Sequence, residues 1–208
     1  MAIATTSTRA GVIFYTDKPS FDLAASTTLL EDFEAFAPKD TILPFFTSNG
    51  VTYTGFAGTP DGNVFVASLG FNNFGAGVTQ PTTSSILTAH GDEDFTATFA
   101  TPILALGFDT YLNGHGPATV KVFNGNTLLD TYAYDPALDT KEYWGIVSTD
   151  PITSFRWTTT DGATVNTGID NISVLAVPEP STAMFGALAV AVALCRRMRI
   201  KQSEPNAS

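Results

Sequence analysis

The chain has 208 residues, enough for one domain of ordinary size and an appendage, and carries 20 acidic against 10 basic side chains for a net charge of −10. Residues 1–176 hold 18 of the acids and 6 of the bases, so the body stands near −12 and repels phosphate backbones, which excludes nucleic acid as a partner. The one cysteine, Cys195, lies in an apolar run near the end, so the body has no disulfide, thiolate cluster or cysteine nucleophile.

In chain order the body reads as short strands separated by turn chemistry. Gly11–Thr16 (GVIFYT) is the first. Thr16–Ser26 (TDKPSFDLAAS) is the one short-helix candidate, with Asp17 as N-cap and Pro19 in the first turn. Thr28–Glu34, Val51–Phe56 and Val64–Ser68 follow, then a Gly-rich, weakly charged loop from Leu69 to Ser85, read as a surface loop or the lining of a ligand groove. In Asp94–Ala100 (DFTATFA) the apolar Phe95, Ala97 and Phe99 alternate with Thr96 and Thr98, the period of a sheet with one wet face. Ile103–Phe108, Ala118–Phe123, Leu128–Tyr134, Tyr143–Ser148, Ile152–Thr158 and Gly168–Leu175 complete the set, with hairpin turns at Asn124–Asn126 (NGN) and Thr160–Gly162 (TDG). Ten to twelve short strands predict an all-β fold, a β-sandwich of jelly-roll-like type with one short N-terminal helix.

Catalytic patterns are absent from the sequence. No Gly-x-Ser-x-Gly surrounds any serine, and the two histidines, His90 in TAHGDED and His115 in NGHGP, read as surface turn residues without zinc spacing. Paired carboxylates for glycoside hydrolysis need only proximity, and none of the 18 body acids is singled out by sequence. A structural calcium ion is the one cofactor with candidate ligands: Glu34 in EDFE and Asp170 in GIDNIS, on early and final strands expected to be neighbours, with Asp32 and Asn171 beside them. For sugar stacking the candidates are Phe71, Phe74, Tyr111, Tyr132, Tyr134, Tyr143 and Trp144, against the ordinary core role of Trp144 and Trp157.

The end of the chain has its own logic. Pro178 and Pro180 bracket Glu179 and separate the last strand from the C-terminal segment. Residues 183–195 (AMFGALAVAVALC) are apolar throughout and close on Arg196 and Arg197. As a helix this run reaches about 20 Å, short of a hydrocarbon core of roughly 30 Å unless Ser181, Thr182 and the arginine stems extend it. The arginines place the acidic body on the outer side of the membrane.

Val177-Pro178-Glu179-Pro180-Ser181-Thr182, the apolar stretch and Arg196-Arg197 together resemble the PEP-CTERM sorting signal. The resemblance implies a three-part organisation: a sandwich body over 1–176, a sorting signal over 177–200 with its membrane helix at 183–195, and a polar tail at 201–208. It implies processing near Pro178–Pro180 by an exosortase-type enzyme of Gram-negative bacteria, transient residence in the inner membrane, and a place at the cell surface or in an exopolysaccharide matrix. The body, through FYTDKPSFDLAAS, LLEDFE, YWGIVSTDPITSFRW and IDNISV, resembles the β-sandwich domains that precede such tails. The tail after Arg199 is longer than is usual for the signal, and MAIATTSTRAGVIFYT has no apolar segment of secretory type, so a signal peptide is expected upstream of Met1. Two functions stand as expectations: a non-enzymatic exported surface or matrix protein, or a carbohydrate-binding module for extracellular glycan.

Overall fold

The computed structural model describes residues 11–55, 62–69, 71, 84–90, 94–113, 118–134, 140–159 and 166–177. The sorting residues Pro178, Glu179, Pro180, Ser181, Arg196 and Arg197, the apolar run 183–195 and the turn at 160–162 lie outside the described residues. No helix among the described residues is long and apolar enough to cross a membrane.

The described chain is β-sheet with a single short helix. Its elements are β1 (Val12–Tyr15), α1 (Lys18–Ala24), β2 (Thr28–Glu31), β3 (Phe45–Ser48), β4 (Val51–Gly55), β5 (Asn63–Ala67), β6 (Ile86–His90), β7 (Phe95–Asn113), β8 (Ala118–Asn124), β9 (Thr127–Tyr134), β10 (Thr140–Thr159) and β11 (Asn166–Ala176). Every pairing is antiparallel. The helix starts as its sequence predicts: Asp17 Oδ1 accepts the Ser20 N–H at 2.8 Å, and Pro19 occupies the first turn where a missing N–H costs nothing.

Two long strands build the sandwich. The first half of β7 pairs with β4 (Phe99↔Val51) and with the second half of β10 (Phe95↔Trp157), which carries β8 and then β9. The second half of β7 pairs with β11 (Asp109↔Asp170) and with the first half of β10 (Gly107↔Gly145), which carries β1. β11 in turn holds β6 and β2 on its other edge, and β6 holds β5. Both long strands therefore pass from one layer to the other, and the register breaks at the passage, between Val147 and Ile152. Pro102 and Pro151 sit there, where the ladder is interrupted and a missing N–H is tolerated. The structure replaces the four strands 94–100, 103–108, 143–148 and 152–158 with two continuous, bent ones.

The core forms between the layers. Phe108 from one layer meets Phe155 at 5.5 Å and Trp157 at 5.9 Å from the other, and also touches Trp144 at 5.0 Å. Trp144 and Trp157 are fully buried, which settles their core role. The alternation in 95–99 is as expected, with Phe95, Ala97 and Phe99 buried and Thr98 exposed.

The helix α1 docks on the outer face of the second layer, and two facing glycines make room for it. Gly107 and Gly145 are register partners, and Phe21 of α1 lies on them, completely buried. A Cβ on Gly145 would come within 2.6 Å of Phe21 Cδ2, and one on Gly107 would strike the Tyr143 hydroxyl first and come within 2.8 Å of Phe21 Cε1. Tyr15 and Tyr143 flank the ring at 5.9 and 5.6 Å. We expect Gly145→Ala to cost about 1–3 kcal/mol by overpacking, and to cost markedly less in a Phe21→Ala background where the slot is vacant. Urea titration of the four variants checks this; additive effects would disprove the slot.

Candidate functional site

Outward-facing positions of the strands beside the glycine slot form a concave feature. The period of two that buries Leu106 and Phe108 of β7 turns Gly107 and Asp109 outward, and in β10 burial of Trp144 turns Tyr143 outward. Helix α1 rises on one side of this strip, and Ser26, Thr27 and the exposed Leu29 continue the wall into β2. The result is an open groove of about 650 Å³, the size of an oligomer or small-molecule site.

Its floor is organised by a bulge in β11. Asp170 pairs with Asp109, but the next registered pair is Ser173 with Gly107, so β11 spends one extra residue over this interval. The extra residue is Asn171, at φ +52°, a left-handed conformation that asparagine accepts better than most side chains. The bulge turns its amide toward both neighbouring carboxylates: Nδ2 donates to Asp109 Oδ2 at 2.7 Å and to Asp170 Oδ2 at 3.2 Å. Lys141 adds an ion pair to the same Asp109 oxygen at 2.6 Å. On the helix side Lys18 Nζ binds both oxygens of Asp22, at 2.8 and 2.7 Å, and lies 5.8 Å from the Tyr143 ring centroid. The groove thus presents two carboxylate–ammonium pairs, an amide and several hydroxyls over a short distance. Burial and the nearby Asp22 and Asp109 charges push the Tyr143 hydroxyl above the usual phenol range, so it stays protonated at neutral pH.

The two predicted metal ligands are held by protein donors. β2 and β11 are neighbours as expected, through Glu31↔Ile172. Glu34 lies just beyond β2 rather than on it. Its Oε1 accepts the Ser85 N–H at 2.7 Å, and its Oε2 takes the Ser85 hydroxyl at 3.1 Å and Lys39 at 3.3 Å. The Ser85 backbone bond leads in lowering the Glu34 carboxyl below its ordinary range. Asp170 is fully buried and accepts from the Ser84 hydroxyl at 2.5 Å and from the Asn171 N–H at 2.7 Å. Adjacent serines at the entry to β6 thus hold the two candidates, each its own. The secondary candidate Asp32 accepts the Glu34 N–H at 3.1 Å. Among the described residues no group of three or more His, Cys, Asp and Glu side chains is disposed to hold a metal ion.

The aromatic candidates divide. Trp144 and Tyr111 are buried, Tyr132 stacks on Phe14 at 4.7 Å, and Phe71 packs on Phe65 at 5.3 Å. Tyr143 alone among those described lines the groove. Phe74 and the side chain of Tyr134 lie outside the described residues, as does His115. His90 is the last residue of β6, paired with Asn63, which corrects the turn expected for it. Asp109, Lys141, Lys18 and Asp22 carry no sequence pattern that marks them. The one signal for them is a charged residue at an outward strand position beside glycine, as in LGFDTY.

No protein-family model matches the chain, and no curated protein matches it. Among solved structures it is similar to a substituted carbohydrate-binding module of family 29, at 12% identity and a TM-score of 0.41, over 71% of this chain and 89% of that one. It is also similar to a family 29 module complexed with mannohexaose (14%, TM-score 0.40, 71% and 91%) and to one complexed with cellulohexaose (12%, TM-score 0.40, 80% and 91%). At these scores the likeness carries no argument about what this chain binds.

Burial is the leading cause that raises the Asp170 carboxyl to about 6, against the opposing bonds from Ser84 and Asn171. The folded state therefore holds this proton more tightly than the unfolded chain does. Asp170 favours folding most below the ordinary carboxyl range, and that contribution fades as pH rises through about 6. Asp170→Asn removes the dependence, so its melting temperature relative to the parent should climb between pH 4 and pH 7. A relative melting temperature that falls over this interval would contradict the assignment.

Proposed function

We propose that the sandwich is a non-catalytic glycan-binding domain of an exported surface protein, and that the groove beside α1 holds the sugar chain. The observation that carries this reading is the side-chain set of the groove. Sugar hydroxyls both donate and accept, and Asp109 with Lys141 and Asp22 with Lys18 offer both roles side by side. Asn171 contributes an amide oxygen with no donor among the described residues, while Leu29 and Tyr143 supply apolar surface for ring faces. The groove is open to solvent, and its lining mixes charged and hydroxyl side chains with the apolar surface of Ala25, Leu29 and Tyr143.

Asp109 is the residue whose removal tells most. It is mostly buried and joins β7 to β10 and β11 through Lys141 and Asn171. Asp109→Ala and Lys141→Ala should each weaken binding about tenfold or more, the loss of one charge-assisted hydrogen bond. Isothermal titration of the full chain against mannohexaose and cellohexaose, the sugar types held by the structurally similar modules, is the first measurement. Absence of binding to any glycan on a broader array would remove the reading, and affinity indifferent to both substitutions would move it away from this groove.

The tail supports the place of action. Val177 is the last described residue, tied to the sandwich by its N–H on the Pro102 carbonyl at 3.2 Å, and the Pro-Glu-Pro triplet comes directly after it. In our reading residues 178–180 are the recognition element for an exosortase-type enzyme, and the adjoining apolar run is a temporary membrane stop closed by Arg196 and Arg197. Mass spectrometry of the mature C-terminus in cells with and without the exosortase should show shortening only in the former. A full-length chain in both would end the sorting half of the proposal.

A further inference from the structure

The groove's charges are arranged in a way that bears on which sugars it accepts. Each ammonium is already matched: Lys18 lies between both oxygens of Asp22, and Lys141 lies on Asp109 Oδ2. The four charged side chains that line the groove therefore sum to zero, inside a body whose 18 acids against 6 bases give a net charge near −12. A carboxylate on the ligand would meet no unmatched cation. It would approach the Asp22 and Asp109 carboxylates at close range, and the long-range field of the body would oppose its arrival.

An uncharged sugar meets a different surface. In each pair an acceptor oxygen and a donor ammonium stand within one hydrogen-bond length of each other, close to the separation of vicinal hydroxyls on a pyranose. One hydroxyl can donate to the carboxylate while its neighbour accepts from the ammonium, so each pair reads a diol without either charge losing its partner. The bulged Asn171, whose amide also donates to the buried Asp170, holds Asp109 from behind.

We propose that the groove is selective for uncharged glycans and rejects uronates, with Asp109–Lys141 and Asp22–Lys18 each acting as a vicinal-diol reader. This rests on the glycan reading given above and adds the ligand class to it. The exclusion comes from the two carboxylates, so neutralising either one turns its lysine into an unmatched cation. Asp109→Asn should weaken binding of a neutral glycan and strengthen binding of a uronate, and Asp22→Asn, on the exposed helix face, should do the same without touching the sandwich.

The test uses two pairs of hexasaccharides that differ only at C6: mannohexaose against hexamannuronate, and cellohexaose against the cellouronate hexamer. Titrated into the full-length chain, the neutral member of at least one pair should bind at least about tenfold more tightly than its uronate. In Asp22→Asn and Asp109→Asn that ratio should shrink or invert, with native circular dichroism confirming the fold of each. Uronates that bind as well as their neutral partners, or a ratio unchanged in both variants, would overturn the selectivity while leaving the groove a glycan site. Silence of all four oligosaccharides and of a wider glycan array would overturn the glycan reading and the selectivity with it.

Discussion

The groove exists because a phenylalanine can rest on a sheet without side chains beneath it. Gly107 and Gly145 face each other across β7 and β10, and the space of their missing Cβ atoms is taken by the Phe21 ring over Gly145 and by the Tyr143 hydroxyl together with that ring over Gly107. That contact fixes α1 at a set height above the outer face of the layer. Lys18 and Asp22, one helical turn apart on α1, then stand opposite Asp109 and Lys141 on the strands. Without the glycine pair the helix would ride higher or leave, and the two ion pairs would no longer form one cleft. A seven-residue helix has little stability of its own, so its position is set almost wholly by this anchor and by the Asp17 cap.

The opposite wall depends on a second local irregularity. The bulge at Asn171 costs a ladder pairing and a left-handed backbone, and in return it yields one amide bonded to carboxylates on two strands. Asp170 beneath it is a fully buried acid surrounded by donors from Ser84 and Asn171 and by the Tyr111 ring system. A buried carboxylate with neutral donors is a weak source of stability but a strong source of geometry, since its bonds fail if any partner shifts. Bulge, buried acid and Asp109 therefore act as one rigid floor. Regular strand pairing would have placed only alternate side chains there, at fixed spacing.

Much of the fold is readable because local and global demands agree. DFTATFA alternates, TDKPSF caps and starts a helix, and NGN closes a hairpin with Gly125 at φ +56°. Where sequence and structure part, the cause is specific. SNG forms a hairpin turn with Asn49 at φ +45° and Gly50 at φ +77°, and its first strand, Phe45–Ser48, is too short for an alternation to show although Phe46 is buried. Pro102 and Pro151 look like strand ends because proline ends ladders, and here they mark the passage between layers, where no ladder bond is required. The site is the least legible part. Asp109 and Asn171 are 62 residues apart in the chain, and only the register of β7 with β11 brings them to 2.7 Å. Glu34 and Asp170 stand out in the sequence as acids on neighbouring segments, while the donors that engage them, Ser84 and Ser85, have no pattern of their own.

The distribution of charge ties the site to the rest of the chain. A body near −12 stays dispersed among other acidic surfaces and among anionic polymers, because both repel it. Net charge therefore gives such a body no attraction to neutral or anionic polymers, and the proposed attachment rests on short-range hydrogen bonds. Four of the groove's side chains are charged, two of each sign, and all four are paired. In the proposed binding mode a hydroxyl-rich chain would meet donors and acceptors that already stand side by side. A strongly acidic surface and a cleft whose charges are paired are thus the two electrostatic features on which the proposed glycan selectivity rests.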